Sequence, residues 1–215
     1  MARVLSCVIL DLDGTVADNS DMIFEVYGEV IHKYSGRAPS RREILSFFGP
    51  PEGAILKQLL PQESFGDALE EFYRLYCLKH PDRAFLDREK LDEIRSWGLG
   101  LGLFSGKGRR SAEITLRKLG LQLAFDVVVT GEDVCRSKPD PEGLQLALRR
   151  LGTSPGQALF VGDSPLDIQA GRAAGIMTGA ALWGTKQKQE LLKSAPDYIF
   201  PGVSDFMEHV RSHAR

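Results

Sequence analysis

The stretch VILDLDGTVADNS, residues 8–20, restricts the fold more than any other in the chain, because it ends an apolar run in two aspartates separated by one leucine. Val8, Ile9 and Leu10 read as a buried strand, and a strand of that kind has no use for Asp11 and Asp13 as packing residues. If the strand continues, side chains at i and i+2 face the same way, so both carboxylates crowd one small volume. Like charges that close need a cation or a shared proton. A cation would keep Asp11 ionised, and a partly unpaired Asp13 could hold its proton, which sets a nucleophile beside an acid.

The texture of the chain changes near residue 17 and again near residue 84. Between them DMIFEVYGEVIHKY, SRREILSFF, EGAILKQLL and DALEEFYRLYCLKH carry apolar residues at helical spacing, with Ser40 and Glu43 as a capping-box pair and Pro50-Pro51 as a break. Beyond residue 84 the pattern alternates. It predicts helices over 87–97, 109–119, 141–151, 165–174 and 185–194, and strands over 99–104, 125–129, 158–161 and 176–181. Strand and helix in turn mean a parallel sheet covered on both faces, which the first strand, 4–10, joins. The expected fold is α/β, a Rossmann-like core from residues 1–16 and 84–215 with an all-helical module inserted at 17–83.

Polar residues cluster where these strands end. LGLFSGKG puts Ser105, Gly106 and Lys107 after one strand, VVVTGEDVCRSKPDP puts Lys138 after another, and ALFVGDSPLD puts Asp163 and Asp167 after a third. In open parallel sheets the ligand cleft lies outside the carboxyl ends of the strands, so these segments meet around one cleft. Acids for a hard cation, a hydroxyl with backbone amides and a lysine together suit a phosphate with magnesium. Each group also has a plainer reading. Lys107 alone reads as a solvated side chain, Lys138 as a pre-proline loop residue, and His32 and His80 as partly exposed positions on helices. Ser164, Pro165 and Asp167 fit the N-cap, N1 and N3 positions of a helix start. Asp163 has no such alternative. The glycine-rich GLGLGLFSGKG fails both the dinucleotide fingerprint and the P-loop, and fits a strand whose glycines let something bulky sit against it.

A net charge of -2 and a pI near 6.1 give no basic excess for a nucleic-acid binder. Cys7, Cys77 and Cys135 are too scattered for a disulfide framework, and no CxxC or histidine pair suggests zinc. Charged residues come too early for a signal peptide, and no apolar run approaches the roughly 20 residues of a membrane helix. A soluble cytoplasmic protein without a membrane or nucleic-acid partner is expected. The pattern specifies no oligomeric state.

DLDGT, the Ser105 segment, Lys138 in KPDP, and GDSPLD followed by AGRAAG resemble, in order, the four motifs of the haloacid dehalogenase-like phosphohydrolase superfamily. The resemblance spans almost the whole chain and is closest to the phosphoglycolate phosphatase-like group with a helical cap. It implies that Asp11 is the nucleophile, which becomes an aspartyl phosphate, and that Asp13 is the general acid and then the base. It further implies that Mg²⁺ is held by Asp11, the backbone carbonyl of Asp13 and Asp163, with Asp167 supporting the metal shell. Ser105, with Gly106 beside it, and Lys138 would grip the phosphoryl oxygens. FFGPPEGAILKQLL resembles the cap segment that enters the site, making Gly49 and Pro50 candidate contacts for a small phosphorylated metabolite. Two departures stand out: HPDRAFLDREK lacks the Pro-Gly turn common in relatives, and Gly106 stands where many carry Asn. A phosphomutase would use the same acids and metal. A receiver-type signalling protein would use a phosphoaspartate without Asp13 or a helical insertion, and a dehalogenase would need neither Asp13 nor magnesium.

Overall fold

The computed structural model describes residues 4–214; residues 1–3 and 215, at the ends of the expected core, lie outside the described residues. In chain order the elements begin with β1 (Cys7–Leu10). Four helices follow: α1 (Ser20–Ser35), α2 (Arg41–Ser46), α3 (Glu52–Leu59) and α4 (Phe65–Lys79). Alternation then sets in with α5 (Arg88–Ser96), β2 (Gly100–Phe104), α6 (Arg109–Lys118), β3 (Val127–Val129), α7 (Glu142–Leu151) and β4 (Ala158–Gly162). The chain closes with α8 (Pro165–Ala173), β5 (Met177–Ala181), α9 (Lys188–Lys193), β6 (Tyr198–Phe200) and α10 (Val203–His213).

All six strands are parallel, in the order β3-β2-β1-β4-β5-β6. The chain winds one way from β1 to β3 and the other from β4 to β6, so the order reverses at β1 and opens a crevice at its carboxyl end. Period-two geometry explains the unbroken apolar run in β1. Val8 and Leu10 pack with Leu91 and Ile94 of α5 and Phe206 of α10, whereas Cys7 and Ile9 face Leu144 and Leu148 of α7 and Ala170 of α8. The space left by the glycines of β2 is taken by Leu151, whose methyl carbons would lie 3.2 and 3.5 Å from side chains at 102 and 100. The sequence pattern missed β6 and α10. Three residues with an exposed Ile199 at the sheet edge are too few to show a period.

The helices α1 to α4 enclose a separate cluster built on Tyr27, Ile31, Ile44, Leu56, Phe72 and Tyr76. Phe72 is its centre, with ring centroids 4.8 Å from Tyr27 and 5.8 Å from Tyr76. The chain leaves and re-enters the sheet side by side: Ala17 pairs antiparallel with Ala84, and the Phe85 amide donates to the Val16 carbonyl at 2.8 Å. Contact between helices and sheet layer runs through α4 on α6.

Two apolar clusters joined at a narrow crossing should be separable in stability. Ile31→Ala, a fully buried truncation in α1, should cost about 2–5 kcal/mol. Hydrogen exchange should show protection falling in α1 to α4 while β1 and β4 keep theirs. An equal loss in both regions would show that they open as one unit.

Candidate active site

The floor of the crevice is made by residues just past β1, β2 and β4. Strand pairing continues as far as the Asp11 amide, which donates to Val161 at 2.9 Å, and the chain then turns through Leu12, Asp13 and Gly14. Gly14 has φ +79°, and a Cβ there would lie 2.2 Å from Asp163 Oδ2, so only glycine lets this turn approach Asp163. Lys138 reaches in from the loop after β3. Its Nζ donates to Asp11 Oδ1 at 2.5 Å and to Asp167 Oδ1 at 2.7 Å. Asp167 uses its other oxygen for the N-terminus of α8, accepting from the Ser164 amide at 3.0 Å and its hydroxyl at 2.6 Å. Asp167 therefore caps α8 with one oxygen while the other accepts from Lys138.

Asp11, Asp163 and Asp167 each offer an oxygen within 4.8 Å of one another. Burial pushes the Asp11 carboxyl up to about 7 despite the Lys138 charge, with Asp167 and Asp13 adding to the rise. Burial also pushes Asp163 well above the carboxylate range, helped by Asp11 and Asp167. Burial alone would lower the Lys138 ammonium, but Asp11 and Asp167 outweigh it and hold it above the ordinary lysine value. One lysine thus faces three acids. An all-oxygen, net negative pocket of this kind fits a hard divalent cation.

Asp13 differs from the sequence expectation. The strand stops at Leu10, and the two carboxylates take separate partners instead of sharing one. Asp13 is not partly unpaired: Asn19 Nδ2 donates to its Oδ1 at 2.7 Å, and Lys107 Nζ lies 3.1 Å from its Oδ2. Lys107 is correspondingly not solvated, for its side chain is 7% exposed and its ammonium sits 4.4 Å from the Tyr76 ring centroid. His80 is likewise buried, and burial lowers it below the usual histidine value. Its Nδ1 lies 2.7 Å from the Pro81 carbonyl, which can only accept, so Nε2 takes the Thr115 hydroxyl at 3.1 Å. Thr115 then accepts from Tyr76 at 2.6 Å, and Asn19 donates to Tyr76 at 3.3 Å. A continuous chain of hydrogen bonds joins His80 to Asp13, its donations diverging from the Asn19 amide. Nothing in the local sequence marks Tyr76 or Thr115; only their meeting in space gives them a role.

The cap meets this floor directly. Ser105, buried, accepts the Lys107 amide at 3.3 Å, and Gly106 lies under the Gly49 carbonyl, which would be 2.5 Å from a Cβ at 106. Glu52, buried at the start of α3, accepts from the Gly108 amide at 2.8 Å and from the Ser111 hydroxyl, supplying the uncapped α6 with an acceptor and a negative charge. Between cap and floor is a cavity of about 420 Å³ lined by all nine residues singled out from the sequence: Asp11, Asp13, Gly49, Pro50, Ser105, Gly106, Lys138, Asp163 and Asp167.

The profile of the family described as haloacid dehalogenase-like hydrolase matches residues 8–181. A protein named pyrophosphatase PpaX from Bacillus velezensis is 33% identical over 207 residues, covering 94% of this chain and 95% of its own. Among solved structures, a predicted phosphoglycolate phosphatase from Haemophilus somnus superposes with TM-score 0.83 at 20% identity, covering 95% of this chain and 97% of that one. A hydrolase of the same superfamily from Deinococcus radiodurans, with bound phosphate and sodium, gives TM-score 0.74 at 22% identity over 98% and 97% of the two chains. At those identities the structures establish the fold.

Glu52 joins cap to floor by accepting from the Gly108 amide and the Ser111 hydroxyl. Glu52→Ala should lower stability by about 1–3 kcal/mol, read from the urea midpoint, and speed amide exchange at Gly108 and along α3. An unchanged midpoint and exchange pattern would show that Glu52 does not hold the cap down.

Proposed function

The chain belongs to the haloacid dehalogenase-like hydrolases, and from that membership we propose that it is a Mg²⁺-dependent phosphatase acting on a small phosphate monoester through an aspartyl-phosphate intermediate. The observation that carries this reading is the cluster of Asp11, half-buried Asp163 and Asp167, with Lys138 paired to Asp11 and Asp167. The pyrophosphatase and phosphoglycolate phosphatase names of similar proteins support hydrolytic transfer of a phosphoryl group to water as the reaction class.

Mg²⁺ would be held by Asp11, the main-chain carbonyl of Asp13 and Asp163, with Asp167 behind them. When bound, the ion supplies Lewis-acid neutralisation of charge on the nucleophile and the phosphoryl group. Asp11 attacks phosphorus while the bond to the leaving oxygen breaks, and Asp13 gives that oxygen a proton. Lys138, Ser105 and the Gly106 amide take up charge on the phosphoryl oxygens. Asp13 then removes a proton from water, which attacks the phosphoaspartate, freeing Asp11 and inorganic phosphate. The cap excludes bulk water during both displacements. We place the protein in the cytoplasm, where the free Cys77 and Cys135, both exposed, stay reduced. No helix among the described residues is long and apolar enough to cross a membrane.

Chelation should abolish turnover and added Mg²⁺ should restore it; full activity in chelator would remove the metal from the mechanism. Asp11→Asn should eliminate both turnover and covalent labelling. Asp13→Asn should slow turnover by about 10² to 10⁴ and, with p-nitrophenyl phosphate, accumulate a phosphoenzyme visible as a mass gain on the peptide containing Asp11. The same phenotype in both variants, with no trapped intermediate, would refute the division of labour between the two acids.

A further inference from the structure

The two halves of the cavity differ in chemistry. The floor presents Asp11, Asp13, Asp163 and Asp167 with Lys107 and Lys138, each lysine already paired to acids. The roof is contributed by the cap mainly through Phe24, Tyr27, Leu45, Phe48, Ile55 and Phe72, with Ser20 and Ser46 as its uncharged polar members. Its aromatic wall is continuous: Phe24 and Phe48 stack with centroids 5.5 Å apart and planes at 16°, and Tyr27 lies 5.9 Å from Phe48. One charged cap residue, Glu52, lines the space, and it is acidic and committed to Gly108 and Ser111. At the mouth, Lys186 is paired with Asp21 at 3.2 Å, and Asp21 also accepts from Arg41 at 2.7 Å.

A substrate that seats its phosphate on the floor projects its leaving group against this roof. A second anionic group there, a carboxylate or another phosphoryl, would lose its hydration with no cap cation lining the cavity, Lys186 and Arg41 at the mouth both being paired with Asp21. An uncharged apolar group would instead exchange water for aromatic and aliphatic contact. Resting on the phosphatase reading above, we propose that the preferred substrate is a phosphate monoester whose leaving group is uncharged and predominantly apolar, aromatic or branched, and fits within the cavity of about 420 Å³. This separates the chain from the pyrophosphate and phosphoglycolate that the names of similar proteins carry. Specificity then lies with Phe24 and Phe48, which meet the leaving group and take no part in the bond changes.

The test compares kcat/KM of the purified enzyme with Mg²⁺ for 2-phenylethyl phosphate, ethyl phosphate, phosphoglycolate and pyrophosphate, with p-nitrophenyl phosphate as a general reporter of phosphatase activity. The three alkyl esters leave as alkoxides of comparable basicity, so their ranking reports contact with the roof. 2-Phenylethyl phosphate should exceed ethyl phosphate and phosphoglycolate by at least ~10-fold, the scale of discrimination by an apolar pocket. It should also exceed pyrophosphate. Phe48→Arg, which adds a cation to the roof, should move the ratio of phosphoglycolate to 2-phenylethyl phosphate upward; the wild-type ranking decides the matter if that variant does not fold. Phosphoglycolate or pyrophosphate turned over as well as 2-phenylethyl phosphate would overturn the inference while leaving the phosphatase reading intact. Should every ester, including p-nitrophenyl phosphate, prove inert, the phosphatase reading fails. Calorimetry then still judges the roof, because 3-phenylpropylphosphonate must bind more tightly than phosphonoacetate, and the reverse order would refute it.

Discussion

The bridge from Lys138 to Asp11 and Asp167 is the interaction on which the rest of the site depends. It joins three parts of the chain far apart in sequence: the end of β1, the loop after β3 and the first turn of α8. The lysine and both acids have nearly fully buried side chains, so each charge is tolerable only because the others are there. The ammonium lies over Phe104 and Phe160 at 4.8 and 5.4 Å, which are the sheet's own apolar side chains. The position of the charge is therefore set by the packing of the core. Asp11, Asp163 and Asp167 still outnumber the one lysine among them, a donor set that suits a hard cation.

Around that floor the cap is fixed by contacts of a different kind. The chain of hydrogen bonds from His80 through Thr115 and Tyr76 to Asn19 ends on Asp13, so the orientation of that carboxylate depends on residues from the cap, the crossing and α6 together. Lys107 serves both sides as well, pairing with Asp13 while resting on the ring of Tyr76. Moving the cap away would withdraw Tyr76 from both Asn19 and Lys107.

The sheet, its parallel order and the convergence of motifs at the strand ends were legible in the sequence because each rests on local rules. Buried strands need unbroken apolar runs, helices need 3.6-residue spacing, and Ser164, Pro165 and Asp167 spell out a helix start. What was not legible has a common physical origin. Lys107 reads as solvated because lysine usually is, and only the arrival of Tyr76 and Asp13 from two other segments buries it. His80, at the end of α4, is buried by Thr115, which is 35 residues further along. Glu52 resembles an ordinary acid at a helix N-terminus, yet the helix whose start it serves most directly is α6. In each case the deciding partner lies across the cap interface, where no periodicity within one segment can reach.

The same interface accounts for the departure at Gly106. In this chain a Cβ at 106 would lie 2.5 Å from the Gly49 carbonyl, inside any tolerable contact. Gly131 is crowded in turn by the Gly106 carbonyl at 2.3 Å and by Pro51 at 2.9 Å, so three small or rigid positions stack along one line. The loss of a side chain at 106 is the condition for seating Gly49, Pro50 and Pro51 so deeply. That depth brings Glu52 within reach of Gly108, and it carries Phe48, the residue before Gly49, to the edge of the cavity. Glycine at 106 is thereby coupled to the roof, because with no side chain there the cap segment that carries Phe48 sits this close to the floor.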